Sequence, residues 1–323
     1  MKTKLLLVAF ASFLFPQNHL SAQTLKGSDR KKILKEIPEL ISEHYAIEGK
    51  RKPFSKRLKD VFSSDTFLGI TDSKKLESEI NSKLYEITKD KHVYLRFVKD
   101  EGAKGTDWDA WEQRERRLEI EENYGLSEVK ILEGNIGYLK ITEFMHPGRS
   151  IPTVVASMKF LENTKALIID IRDNGGGYGE TMEYVLNHFF DGGPEHIATT
   201  YYADENKIPY TQYSSPAIYG KNRTNTPLII ITNGETGSAA EFFAYTLQAF
   251  GKAKILGEAS TGAANRNSYF PLTENFKFSV STAIPVNPIT KTNWEGGGVI
   301  PDHKVSDDEI EEARKILTSE LSR

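Results

Sequence analysis

The chain has no cysteine among its 323 residues. This excludes disulfides, a thiolate nucleophile, zinc–thiolate sites and lipid attachment through cysteine. Excess charge of either sign is also missing. Forty-two Lys and Arg stand against 45 Asp and Glu, a formal net charge of −3, so there is neither the basic footprint of a nucleic-acid binder nor a charged tail. The longest leading apolar run, Leu5 to Phe15, falls short of the roughly 20 residues that cross a bilayer. No other segment approaches a span. A phosphate loop of the Gly-x-x-x-x-Gly-Lys-Ser/Thr type is absent, as is a Rossmann fingerprint, and no pair of histidines at helical spacing has the Glu of a metallopeptidase beside it. No metal and no organic cofactor is therefore expected. There is no internal repeat and no low-complexity tract. At 38% hydrophobic content the length suffices for one large domain and a small one.

What is present begins with "MKTKLLLVAFASFLFPQNHLSAQ". Lys2 and Lys4 precede the apolar run, and "LSA" supplies small residues before Gln23, which is the pattern of a signal peptide over residues 1–22. The mature protein is expected to be exported. A cysteine-free exported chain suits a bacterial envelope better than a compartment that builds disulfides.

Residues 23–90 read as a helical subdomain, with Ile33, Ile37, Leu40 and Ile41 on one face and a cap at Thr71 or Asp72 for the helix to Ile87. "HVYLRFV" alternates as a strand does. It opens a linking, lid-like segment, 91–126, with a helical patch from Trp111 to Ile120. From residue 127 strands alternate with helices: "VKIL" and "IGYLKI" around an "EGN" turn, "ALIIDIR", "IATTYY", "PLIIIT" and "AKILG", with "SYFPL" and "FKFSVSTAIPV" as paired strands and a closing helix from Asp307 to Leu321. The segment between "IATTYY" and Thr226 reads as a polar loop. Such alternation predicts an α/β sheet with crossover connections over 127–323.

Two strand-to-helix turns stand out, "IDIRDNGGGYGE" and "IITNGETGSAAE". The carboxyl ends of strands are where open α/β sheets bind ligands. Ser238 opens the helix after the second turn. A Ser there is either a plain N-cap or a nucleophile on a tight turn, with unbonded N–H groups beside it for an oxyanion. A nucleophile needs a base and a group to orient the base. His92, after "TKD", lies at a helix–strand junction. Glu295 opens another glycine-rich stretch, "NWEGGGVIPDHKV".

In order, "DKHVYL", "GNIGYLKI", "IDIRDNGGG", "NGETGSAAE", "GEASTG" and "EGGGVIPD" resemble the C-terminal processing, or tail-specific, serine peptidase family over roughly residues 85–305. The likeness is to the branch of tricorn protease and the interphotoreceptor retinoid-binding protein repeats. It implies a crotonase/ClpP-like α/β core and a peptide or protein substrate. It also implies Ser238 as nucleophile, His92 as base and Glu295 behind it, with oxyanion and substrate contacts from the Gly176, Gly177 and Ala239 backbone and the Gly176 and Ala239 N–H groups as oxyanion donors. The Ser–Lys branch carries a Lys where this chain has Ala263, so His is implied as the base. Tricorn protease has a Ser beside its His. Here the neighbour is Lys91, which leaves a fourth member without a counterpart. Residues 99–126 are too few for the PDZ domain that many relatives insert. A non-catalytic binder of hydrophobic ligands or peptides, as in the retinoid-binding repeats, is the competing reading on the same fold. Oligomeric state is not legible.

Overall fold

A computed structural model describes residues 25–98, 108–305 and 308–322. The expected signal peptide and part of the lid-like segment lie outside these.

The amino-terminal unit holds α1 (Gly27–His44), α2 (Glu48–Phe62), the one-turn α3 (Asp65–Leu68) and α4 (Ser73–Thr88). The apolar stripe of α1 buries Ile33, Ile37 and Ile41, one turn apart. Asp72 caps α4 by accepting Lys75 N–H at 2.7 Å, and Lys89, with φ 57°, stops it. The chain then turns through Asp90 into β1 (Tyr94–Phe97) and resumes with α5 (Trp108–Glu121).

Next come β2 (Leu126–Leu132), β3 (Ile136–Ile141), α6 (Pro147–Phe160), β4 (Ala166–Asp170), α7 (Gly179–Leu186), β5 (His196–Tyr202) and β6 (Tyr210–Tyr213). After them follow β7 (Leu228–Thr232), α8 (Ala239–Ala249), β8 (Lys254–Gly257), β9 (Arg266–Thr273), β10 (Phe276–Val286) and α9 (Glu309–Leu321).

Among the described residues the strands form two sheets. The first has the order β2-β3-β4-β7-β8, parallel except for the β2–β3 hairpin. Every residue of β4 and β7 is buried. The reason is a core on each face. Leu167, Ile169, Leu228 and Ile230 face a cluster that includes Val154, Val185 and Phe243 of α6, α7 and α8, while Ile168, Ile229 and Ile231 face Ala313 and Leu317 of α9. Uninterrupted apolar runs such as "LIII" are what a strand covered on both sides requires.

The α/β reading holds, with this sheet as its core, and among the described residues the remaining strands form a second sheet. The second runs β1-β10-β5-β6, with β9 also on β10, and is antiparallel throughout. The segment read as a polar loop after β5 contains β6. Four residues followed by Ser-Ser-Pro carry too little pattern to announce a strand, and pairing with β5 makes it one. Leu272, Phe276, Phe278 and Val280 of β9 and β10 share a core with Ile37, Leu58, Leu76 and Ile80 of the helical unit. The helices are thus packed onto strands drawn from the other end of the chain.

Candidate active site

β4 and β7 are adjacent and parallel, so the two glycine-rich turns leave the same sheet edge side by side. They are fastened to each other. Gly237 N–H donates to Asn174 O at 2.8 Å, the Thr236 hydroxyl donates to Ile171 O at 2.9 Å, and Asn233 Nδ2 donates to Asp173 Oδ1 at 2.8 Å.

Ser238 occupies the N-cap position of α8, but with φ 52° and ψ −117°. A plain cap has extended backbone. A non-glycine residue at positive φ is strained by about 1–3 kcal/mol, and such strain clusters at functional sites. The Glu241 carboxylate, fully buried, holds the turn. It accepts Ser238 N–H at 2.9 Å, Gly262 N–H at 2.6 Å, Ala263 N–H at 2.9 Å and the Ser260 hydroxyl at 2.6 Å. One carboxylate therefore ties the Ser238 turn to the "GEASTG" loop. Ala263, where a Ser–Lys enzyme would carry its lysine, is buried.

Gly176, with φ 116°, lies against the Ser238 turn, where a Cβ would meet Ser238 Cβ at 2.8 Å and Ala239 N at 3.0 Å. Its N–H is not the unbonded donor that was expected. It donates to Oδ1 of the buried Asn174 at 2.8 Å, an Asx-type turn that sets the glycine loop. Among the described residues the N–H groups of Gly177 and Ala239 donate to no acceptor. For Ala239 this follows from its place at the first turn of a helix. Both residues line a cavity of about 480 Å³ together with Ser238 and His92, within the usual range for ligand sites. Met182, Phe242, Trp294, Glu180, Glu183 and Arg266 complete most of its wall, and among the described residues no lysine lines it.

His92 is half-buried at the mouth of β1. Its N–H donates to Asp90 Oδ1 at 2.9 Å, and its carbonyl accepts the Ser279 hydroxyl at 2.6 Å. Burial pushes the imidazole pKa below its ordinary 6.5, against the pull of Asp90 and Glu241. Nδ1 is sealed from solvent without a hydrogen-bond partner, and so is Glu295 Oε1. The other Glu295 oxygen accepts Ala264 N–H at 2.8 Å and Asn265 N–H at 3.0 Å. One ligating atom from each of Asp90, His92 and Glu295 lies within 4.8 Å of the others. Burial, then Asp90, raises the Glu295 pKa to about 7. The expected residues Ser238, His92, Glu295, Gly177 and Ala239 thus gather at one place, and Gly176 backs them.

Asp90 and Glu241 were not singled out in the sequence. Asp90 is 2% exposed, and its Oδ2 also accepts the Tyr45 hydroxyl and Asn265 Nδ2, both at 3.2 Å. The signals were there: an acid two residues before His92 in "DKH", and Ser-x-x-Glu, the capping-box spacing, in "SAAE". Asp90, His92 and Glu295 also have the donor types of a cation site.

A strained Ser on a strand-to-helix turn, with a half-buried imidazole and unbonded N–H groups around one cavity, is an arrangement that serine hydrolases on α/β sheets use. The comparisons with known proteins agree. The chain belongs to peptidase family S41, whose description matches residues 135–305, and residues 25–124 match the N-terminal domain of this peptidase class in eukaryotic IRBP. The carboxy-terminal-processing protease of Bartonella bacilliformis is 28% identical over 177 residues, 53% of this chain and 39% of the relative. The chain thus spans well under half of that relative's length. A Parabacteroides merdae structure shares the fold with a TM-score of 0.64 at 21% identity, over 91% of this chain and 97% of that one. Tricorn protease does so with a TM-score of 0.57 at 13% identity, over 92% of this chain and 37% of that one.

Proposed function

We propose that this chain is an exported serine peptidase that hydrolyses peptide bonds through Ser238, His92 and Glu295. Ser238 Oγ attacks the scissile carbonyl while the imidazole takes its proton and later delivers it to the leaving amine. A base must be neutral to accept that proton, and the depressed pKa of His92 keeps it so at neutral pH. Glu295 Oε1, with no other partner, is the acceptor for Nδ1–H and stabilises the imidazolium. The oxyanion is received by Gly177 and Ala239 N–H. Asp90 holds the His92 backbone by accepting its N–H.

The observation that carries this reading is the backbone of Ser238 (φ 52°, ψ −117°) in a cavity shared with His92. A cap would need neither. The test is labelling by an alkyl fluorophosphonate, which marks only an activated serine, together with digestion of a peptide library. Wild type should label at Ser238 and cleave. Ser238→Ala should do neither while folding normally. A folded Ser238→Ala variant that still cleaves would overturn the assignment. Export is tested by amino-terminal sequencing of the secreted chain, which should begin at Gln23.

A further inference from the structure

We propose that the outer edge of β9 is the docking rail of the substrate, an extended peptide adding to it as one more strand and being led by it to Ser238. This rests on the serine-peptidase reading and says how the substrate is held.

Among the described residues β9 pairs with β10 alone. Its other edge therefore presents the N–H and C=O of alternate residues to solvent. Arg266, Ser268, Tyr269 and Pro271 are exposed. The edge is open at one end only. Pro271 removes a donor from the far end, and the register with β10 slips there, between Phe276 and Lys277. Proline and a bulge are the devices by which an edge is blunted against indiscriminate pairing. The register slips again at the near end, between Ser281 and Ala283, but the extra residue there is Thr282 of β10, so Arg266–Phe270 itself holds neither a proline nor a bulged residue.

The open end is the catalytic end. Arg266 and Asn267 line the Ser238 cavity, and the two residues before them, Ala264 and Asn265, give their N–H groups to Glu295. A strand laid on β9 runs into the cavity beside the carboxylate that faces His92. The occupant this selects is a peptide, since a peptide backbone is complementary to a strand edge and the cavity at its end is the one with the nucleophile. Tyr210 of the shorter edge strand β6 also reaches the cavity and supplies the rival location.

The experiment uses two reagents on the full chain: acetyl-tetra-alanyl diphenyl phosphonate, which has a peptide backbone, and an alkyl fluorophosphonate, which has none. The peptidyl reagent should label Ser238 at least 10-fold faster than versions of itself N-methylated at alternate residues. Hydrogen exchange on the peptidyl adduct should show new protection within 266–270. Of Ser268→Pro and Tyr269→Pro, the one whose N–H points outward should lose the peptidyl advantage and keep alkyl labelling, and the other should disturb the β10 ladder. Protection confined to 210–213, or a peptidyl rate indifferent to N-methylation, would overturn the β9 rail and leave the nucleophile intact. No labelling of folded wild type by either reagent would overturn the nucleophile and the rail together.

Discussion

At the scale of single residues the site turns on two acids near one imidazole. With Asp90 and burial against it, Glu295 retains its proton to about pH 7 in the folded chain, whereas an unfolded chain releases it near the ordinary 4.5. Between those values the unfolded state gains by ionising first, so Glu295 lowers stability as pH rises, and the effect levels off above about 7. Thermal denaturation of wild type and Glu295→Gln should therefore diverge in favour of the variant from pH 4.5 to 7 and run parallel above it. A constant offset would contradict the assignment. Activity should show the other face of this titration. In wild type kcat/KM climbs as His92 deprotonates below 6.5, then again near 7 as the Glu295 carboxylate forms. Glu295→Gln should lack the upper limb and fall furthest behind wild type above about pH 7, because an amide cannot stabilise imidazolium. Activity should survive a chelator, since no step above needs a metal; loss restored by added zinc would count against the mechanism.

Elements position these residues through their ends. The turns after β4 and β7 are held together by backbone and side-chain hydrogen bonds, and Glu241 binds the start of α8 to the loop before β9. Glu241→Ala would strip the acceptor from three backbone N–H groups and a hydroxyl inside the protein. At about 1–3 kcal/mol for each buried group left unpaired, the urea midpoint should fall by the equivalent of roughly 3 kcal/mol or more. A loss under about 1 kcal/mol would show that water replaces the carboxylate. The Gly177 turn is as constrained. With φ 112°, a Cβ there would lie 2.2 Å from Phe144 O, so Gly177→Ala must open the bridge to Phe144. Fluorophosphonate labelling should slow by about 10²-fold, the typical cost of one oxyanion donor, with the circular-dichroism spectrum retained. Labelling at the wild-type rate would remove Gly177 from the site.

At the scale of the whole molecule the helical unit and the sheets cannot be independent. β1 pairs with β10, and the core around Phe278 joins α1, α2 and α4 to strands roughly two hundred residues or more away. His92 sits at this junction, with the Tyr45 hydroxyl on Asp90. Calorimetry should show one transition. Phe278→Ala should cost about 3–5 kcal/mol and lower the signals of helical unit and core together. Two separated transitions would mean that the base is mounted on a part that can detach.

Local pattern by itself determined much of this protein. Uninterrupted branched apolar runs specified strands buried on both faces, because no half-exposed strand tolerates them. The period of Ile33, Ile37 and Ile41 specified a helix. Ser238 and Glu295 stood out by the glycines beside them, and His92 only through the likeness of its segment to a peptidase family. Only the tertiary structure decided the rest. The second sheet, and β6 within it, exist through pairing between distant segments, which no local period encodes. Asp90 and Glu241 look like ordinary surface acids until folding buries them among donors. Which glycine has an unbonded N–H depends on the Asn174 side chain, since Asn174 Oδ1 accepts the N–H of Gly176 and leaves that of Gly177 without an acceptor. A donor's freedom depends on where an acceptor lies in space, and spacing along the chain does not carry that.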